Sequence, residues 1–432
     1  MTAFQISRTH AWEALDSRGR PTVACRVELA GGAVGRAIVP SGASTGEHEA
    51  RERRDGGSRY GGLGVLNAVA AVNDVYAPLV QGRSAADRVA IDAALEAEDG
   101  EQRLGRLGAN AALSVSLAVT VANAEARREP LWRTLDATQR PPLLPMPMVN
   151  IFSGGAHAGR AVDIQDFLIV PVGAESFRQA MEWVSGVRAE CARLLDEQGG
   201  WSALVADEGG LSARLGSNEQ ALELLARGIE WAGFSPFEQV AIAVDVAASQ
   251  LVQGDSIVLA SVGERLAVGD WIERVAEWSA GYPLISIEDV VGENDWDGWR
   301  QAAGRLSHLQ LLGDDLFATD RDRLARGIAE GSANAVLVKV NQAGTVSRAE
   351  RVVADAKVAG FATVVSARSG DTEDSWLSDL AVGWRAGQIK VGSTMRSERT
   401  AKWNRLLEIE SDGPCEFAGR AALRFQMKHP TA

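Results

Sequence analysis

The chain has 432 residues, 46% apolar and 23% charged, with a net charge of −13. That is too long for one small core, ordinary for a soluble globular protein, and too acidic for broad binding to nucleic acid or anionic membranes, which need basic surface. Its longest apolar stretches, around 111–122, fall short of the roughly 20 residues that span a bilayer, and its first residues lack the basic-then-apolar layout of a secretory leader; no membrane span and a cytoplasmic location are expected.

In chain order, 22–29 and 34–39 read as two strands of a hairpin around Ala30-Gly31-Gly32-Ala33. A loop rich in Gly and Ser follows, Pro40-Ser41-Gly42-Ala43-Ser44-Thr45-Gly46, suited either to a backbone nest for phosphate or to a lid bearing a hydroxyl ligand. Apolar spacing of three and four predicts helices over 64–80, 85–98 and 109–128. Pro141, Pro142, Pro145 and Pro147 break the helical pattern and mark a junction, so an α+β unit over 1–140 precedes a second domain over 141–432. Strands and helices then alternate to about Leu407, with a polar tail expected beyond. Cys25, Cys191 and Cys415 are widely separated with no Cys-x-x-Cys pair, so buried, inert thiols are expected rather than disulfides or a zinc site.

Within the second domain, five successive apolar runs of strand length each end in a charged residue: Asp245, Glu288, Asp314, Lys339 and Arg368. The gaps hold helical patterns such as 322–330 and 347–359, which predicts repeated βα units closing into a TIM-type (β/α)8 barrel of α/β class. Function in such barrels gathers at the C-terminal strand ends. Three carboxylates arriving there suit a hard divalent cation such as Mg2+. The bland alternative is that each caps the next helix or lies in a solvated loop; Asp289 and Asp315, one residue on, would cap helices or support the metal-binding carboxylates.

Lys339, ending an apolar strand, should meet those carboxylates or a substrate, and burial plus neighbouring cations should lower its pKa toward that of a working base. Lys390 ends another short strand and adds positive charge for an anion. Glu208, in Asp207-Glu208-Gly209-Gly210, lies in an acidic loop read as flexible and suited to a general acid, and His157, in a glycine-rich run, suits a mobile lid. Arg368-Ser369-Gly370 offers a guanidinium fork and a hydroxyl for phosphate. His10, His48, His308 and His429 read as surface residues.

Together these segments closely resemble enolase over nearly the whole chain. The resemblance is carried by Asp16-Ser17-Arg18-Gly19, Ser41-Gly42-Ala43-Ser44-Thr45-Gly46, Asp207-Glu208-Gly209-Gly210, Ser286-Ile287-Glu288-Asp289, Gly313-Asp314-Asp315, Lys339-Val340-Asn341-Gln342 and Arg396-Ser397-Glu398-Arg399, among others. It implies a small α+β domain before a barrel that opens ββαα and continues as six βα units. It further implies two Mg2+ ions, one on Asp245, Glu288 and Asp314 and one held partly by Ser44. Lys339 would remove the C2 proton of a 2-phosphoglycerate-like acid, Lys390 would stabilise the enolate, and Glu208 would protonate the departing hydroxyl. Gln165, His157, Arg368 and Ser369 would hold the loop and the phosphate. A homodimer or higher homo-oligomer is also implied, with Arg8, Trp12 and Glu13 in the small domain.

The chain departs from the family pattern in the residues that read the substrate. Ala367 stands where the family has a histidine, and the shorter Asp166 where it has a glutamate that assists the general acid; Gln250 also replaces a glutamate. Losing one well-placed donor can cost on the order of 10²–10³ in rate, so ordinary dehydration of 2-phosphoglycerate should be impaired. The opened volume suits a larger phosphorus substituent, which makes the chain similar to the carboxyphosphonoenolpyruvate synthases of phosphinate and phosphonate pathways. Two other readings stand beside this one: glycolytic enolase with tolerated substitutions, and a catalytically silent scaffold.

Overall fold

The computed structural model describes residues 2–43, 45–160, 162–212 and 215–425. Three antiparallel strands open the chain: β1 (Ile6–Leu15), β2 (Pro21–Leu29) and β3 (Val34–Ile38), in the order β1-β2-β3. The β2–β3 hairpin matches the expectation to within a residue; β1 was not read from the sequence. Only one face of β1 is covered, and its solvent side carries Arg8, His10 and other polar residues, so the stretch lacks the apolar run that marked β2.

The sheet lies on helix α2 (Ala109–Arg127), which follows α1 (Arg88–Asp99). Helix α2 is built largely of Ala, Ser, Val and Leu and is buried around most of its circumference. Small residues let β3 approach its backbone: a Cβ added to Gly35 would overlap the Ala118 carbonyl and the Ala122 nitrogen. The helix expected over 64–80 runs from Leu66 to Val80 but widens to a π-helical segment at Ala71–Tyr76. The widening comes just before Pro78, which has no N–H to give to residue 74. Helix α1 starts later than expected because Asp87 caps it, its carboxylate accepting from Ala90 N at 3.2 Å.

Eight strands close the barrel: β4 (Met146–Ser153), β5 (Asp166–Val170), β6 (Ala241–Asp245), β7 (Leu284–Glu288), β8 (Gln310–Gly313), β9 (Ala335–Val338), β10 (Ala362–Ser366) and β11 (Gln388–Gly392). β11 pairs parallel with β4 to complete the ring. β5 alone among the eight runs against both neighbours, and the helices Phe177–Glu197 and Asn218–Trp231 fill the interval before β6. This is the expected ββαα(βα)6 order. Met146, Met148, Leu168, Ala243, Leu312, Leu337 and Val364 belong to the barrel's inner core, and a larger apolar layer lies between strands and helices.

Two features lie outside the sequence reading. A three-stranded antiparallel excursion (Val252–Gln253, Ser256–Leu259, Glu264–Ala267) is inserted after β6. Beyond Leu407 the chain is not a free polar tail: helix Ser397–Ser411 continues, and Glu416–Phe417 pairs parallel with Leu143–Leu144. All three cysteines are free thiols, Cys25 and Cys191 buried and Cys415 partly so. Burial pushes the Cys25 thiol up to about 12, as an inert core thiol requires. Among the described residues no helix is long and apolar enough to cross a membrane.

Candidate active site

Strand direction determines what reaches the barrel mouth. In the parallel strands the mouth lies at the C-terminal end, which delivers Asp245, Glu288, Asp314, Lys339 and Lys390. β5 runs the other way and delivers its first residue: Asp166 is paired in register with Asp245. Gln165, just before it, donates to Asp245 Oδ2 at 2.9 Å and accepts from Gln250 Nε2 at 3.1 Å.

The charged groups are buried and pair across strands. Lys390 Nζ reaches Asp245 Oδ2 at 2.6 Å and both oxygens of Glu288 at 2.8 and 2.9 Å. Lys339 pairs with Asp314, whose other oxygen accepts from Gln342 Nε2 at 2.9 Å. Arg368 Nη1 donates to Glu49 Oε2 at 2.9 Å and to Asn341 Oδ1 at 3.3 Å. Ser369 and Ala367 line the same cavity as Lys339, Lys390, Glu208 and Asp166.

Burial and these pairings shift the proton affinities in opposing directions. Burial pushes Glu288 well above the usual carboxylate range, and Asp245 beside it adds to the rise against the pull of Lys390. Burial also raises Asp166 strongly, reinforced by the neighbouring Glu208. Burial disfavours the Asp314 carboxylate, yet Lys339 overrides this and holds it below its ordinary value.

Without a bound cation, the Lys339 amine answers to two opposed influences. Burial is the largest single influence and works to lower it, but the surrounding carboxylates, Asp314 first with Glu288 behind it, together leave the ammonium held more firmly than that of a free lysine. Lys390 is raised still further, against burial, by Asp245 and Glu288.

The donor set fits divalent cations. Among the described residues lining the cavity, seven carboxylates (Glu49, Asp166, Glu208, Asp245, Asp289, Asp314, Asp315) face three cationic side chains (Lys339, Arg368, Lys390). Burial and mutual repulsion work against ionising so many carboxyl groups together, which hard cations relieve, and a cation on Asp314 would remove the counter-charge that helps keep the proton on Lys339.

Among the described residues Asp289, Asp314 and Asp315 each bring one oxygen within 4.8 Å of the others, while Asp245, Glu288 and Asp314 are paired with the two lysine amines. Asp289 caps no helix; its oxygens accept from the backbone N–H groups of Asp314 at 3.0 Å and Asp315 at 2.8 Å, in the turn that follows β8.

The two parts of the chain match two family descriptions. Residues 6–135 match the enolase N-terminal domain, and residues 141–425 match the enolase C-terminal TIM barrel domain. The chain belongs to the enolase family. Ala367 places a methyl group, buried to 6% exposure, next to Arg368. Asp166 Oδ1 accepts from Asn150 Nδ2 and from Ser153 Oγ at 3.3 Å.

Glu208 proves to be buried rather than part of an open loop, and its carbonyl accepts from Ser393 N at 2.8 Å. Ser44 lies outside the described residues; His157 is described only as backbone, in the short turn Gly155–Ala158. His10 is exposed, whereas His48 and His308 are half-buried and bonded to Asn294 and Ser279, both at 2.9 Å; His429 lies outside the described residues. Sequence reasoning assigned no role to Glu49, Asn150 or Gln342. Glu49 follows the glycine-rich loop and Gln342 follows Lys339 by three residues, but neither position carries a local pattern that demands burial.

Proposed function

We propose that this enolase-family protein is a divergent enzyme that abstracts the proton next to the carboxylate of a small phosphorylated or phosphonylated hydroxyacid. The observation that carries this reading is the ion-paired Lys339 and Lys390 at one barrel mouth with Arg368, Ser369 and the small Ala367 beside them. Asp245, Glu288 and Asp314 are the proposed Mg2+ ligands, with Ser44 at a second site. Bound there, Mg2+ supplies positive charge that makes the carbon acid acidic enough to ionise.

The side chains divide the remaining work. Lys339 Nζ accepts the C2 proton while the C–H electron pair moves into the carboxylate, and Lys390 faces the charge that develops there. Glu208 then gives a proton to the C3 hydroxyl as the C–O bond breaks, releasing water and leaving the enol double bond. Asp166, its carboxyl raised by burial and by Glu208, keeps a proton within that acidic pair. Arg368 and Ser369 hold the phosphorus oxyanion, and His157 serves the lid.

Ala367 favours a substrate larger at phosphorus than a plain phosphate ester, a carboxyphosphonoenolpyruvate synthase-like role in phosphonate or phosphinate biosynthesis. Ordinary enolase activity is the second reading, favoured by the complete set of charged groups; the same charges in one cleft weigh against a silent scaffold. A cytoplasmic homodimer belongs to the same proposal.

The test is solvent-deuterium wash-in at the carbon next to the carboxyl group, measured with Mg2+ and a panel of 2-phosphoglycerate, phosphonoformyl and phosphinyl analogues. Exchange should be fastest with a phosphonyl or phosphinyl compound and fall about 10²–10⁴-fold in Lys339→Ala. Fast turnover of 2-phosphoglycerate alone would return the protein to the glycolytic reading, and no exchange with any compound would sink the proposal.

A further inference from the structure

The turn Asp16-Ser17-Arg18 of the small domain rests against the 368–371 loop of the barrel. Ser17 N donates to Asp371 O at 2.8 Å, and Ser41 and Gly370 exchange backbone bonds at 2.8 and 3.0 Å. The packing is close enough that a Cβ on Gly370 would overlap Asp16 and Arg18.

Arg18 sits at the centre of this contact, its side chain 6% exposed and ion-paired to Asp16 at 2.9 Å. Its Nη2 donates to the carbonyls of Ser41 at 3.0 Å and Gly42 at 3.2 Å, and its Nη1 donates to Ser369 Oγ at 3.3 Å. From the other side, the fully buried Arg399 donates to the carbonyls of Arg368 and Ser369, both at 2.7 Å. Arg399 therefore fixes the loop's backbone, and Arg18 acts on the serine side chain.

Ser369 Oγ also accepts from Ala43 N at 2.7 Å. A hydroxyl has two acceptor lone pairs and one proton. Here both lone pairs are taken by N–H donors, and among the described residues the proton has no acceptor, while Ser369 lines the cavity. The proton is left to point at whatever occupies that cavity.

We propose that Arg18 is a positioning residue: together with the Ala43 N–H it makes the Ser369 hydroxyl an obligate hydrogen-bond donor into the cavity, selecting a tetrahedral phosphorus oxyanion that offers lone pairs. The role rests on the proposed function for the identity of the cavity, but it concerns oxyanion binding and not proton transfer.

A double-mutant cycle on full-length protein tests it, with inorganic phosphate as the probe, binding followed by calorimetry, and thermal midpoints recorded alongside. Arg18→Met and Ser369→Ala should each weaken phosphate about tenfold, the scale of one hydrogen bond to a charged group. The double variant should be no weaker than Ser369→Ala alone, because Arg18 acts through that hydroxyl. Arg18→Lys, which keeps the charge but not the fork, should recover little of the loss, and it carries the cycle if Arg18→Met does not fold.

Additive losses would overturn the role, as would phosphate binding within twofold of wild type in Arg18→Met or no measurable binding by wild type. Deuterium wash-in keeps the two readings apart. Coupling without exchange would uphold Arg18 and sink the proposed reaction; exchange without coupling would do the reverse.

Discussion

The proposed substrate choice turns on one side chain, that of Ala367. Its backbone N–H donates to Lys390 O at 2.9 Å, so the position is fixed by the β10–β11 edge and only the side chain is open to variation. A histidine there would restore a donor next to Arg368 and fill the volume that the methyl group leaves. Ala367→His should raise phosphoenolpyruvate formation from 2-phosphoglycerate by on the order of 10²–10³ and depress turnover of any bulkier phosphonyl substrate, read by parallel assays on the two compounds. A variant that moves both substrates in the same direction would show that position 367 does not set the choice. Lys339 and the strand-end carboxylates were legible in the sequence because a charge ending an apolar run is costly unless it meets a partner. Glu49 was not, since its partner Arg368 lies on another domain, 319 residues away.

At the scale of elements, the small domain depends on how closely β3 can lie on α2. Gly35→Ala puts a methyl group into the backbone of α2 at Ala118 and Ala122, and overpacking of this kind costs about 1–3 kcal/mol or more. The contrasting change is Gly304→Ala, at an exposed position within helix Trp296–Arg305 where an added Cβ meets nothing within 4 Å. It should stabilise by up to about 1 kcal/mol through helix propensity. Denaturant midpoints of the two variants should move in opposite directions, and equal shifts would refute the close-approach argument. The π-helical widening at Ala71–Tyr76 and the excursion after β6 were not foreseen for a related reason. Apolar periodicity reports which face is buried, not how the backbone hydrogen bonds step along it.

Over the whole molecule, the net charge of −13 is concentrated in part at the barrel mouth, where buried carboxylates outnumber cationic groups. Such an arrangement works against the fold until cations neutralise it. Adding Mg2+ to chelator-treated protein should therefore raise the thermal midpoint, by the equivalent of about 2.7 kcal/mol per site at one hundred times the dissociation constant. Asp314→Asn should reduce that gain. A midpoint indifferent to Mg2+ would remove the cations from the account, whatever the activity assays show.

The sequence by itself determined the repeated βα units of the barrel and the hairpin of the small domain, because strand length, apolar runs and turn residues are local properties; the ββαα opening was implied only by the resemblance to enolase. It also marked Asp245, Glu288, Asp314, Lys339 and Arg368 as residues with chemistry to do. Which of them pair was decided only by the tertiary structure: Lys390 between Asp245 and Glu288, Lys339 on Asp314, and Arg18 reaching from the first domain to Ser369. A spacing along the chain says what arrives at the mouth, whereas charge pairing depends on angstrom-scale distances between strands. That is why the neighbouring carboxylates, and not burial alone, decide how firmly Lys339 holds its proton when no cation is bound.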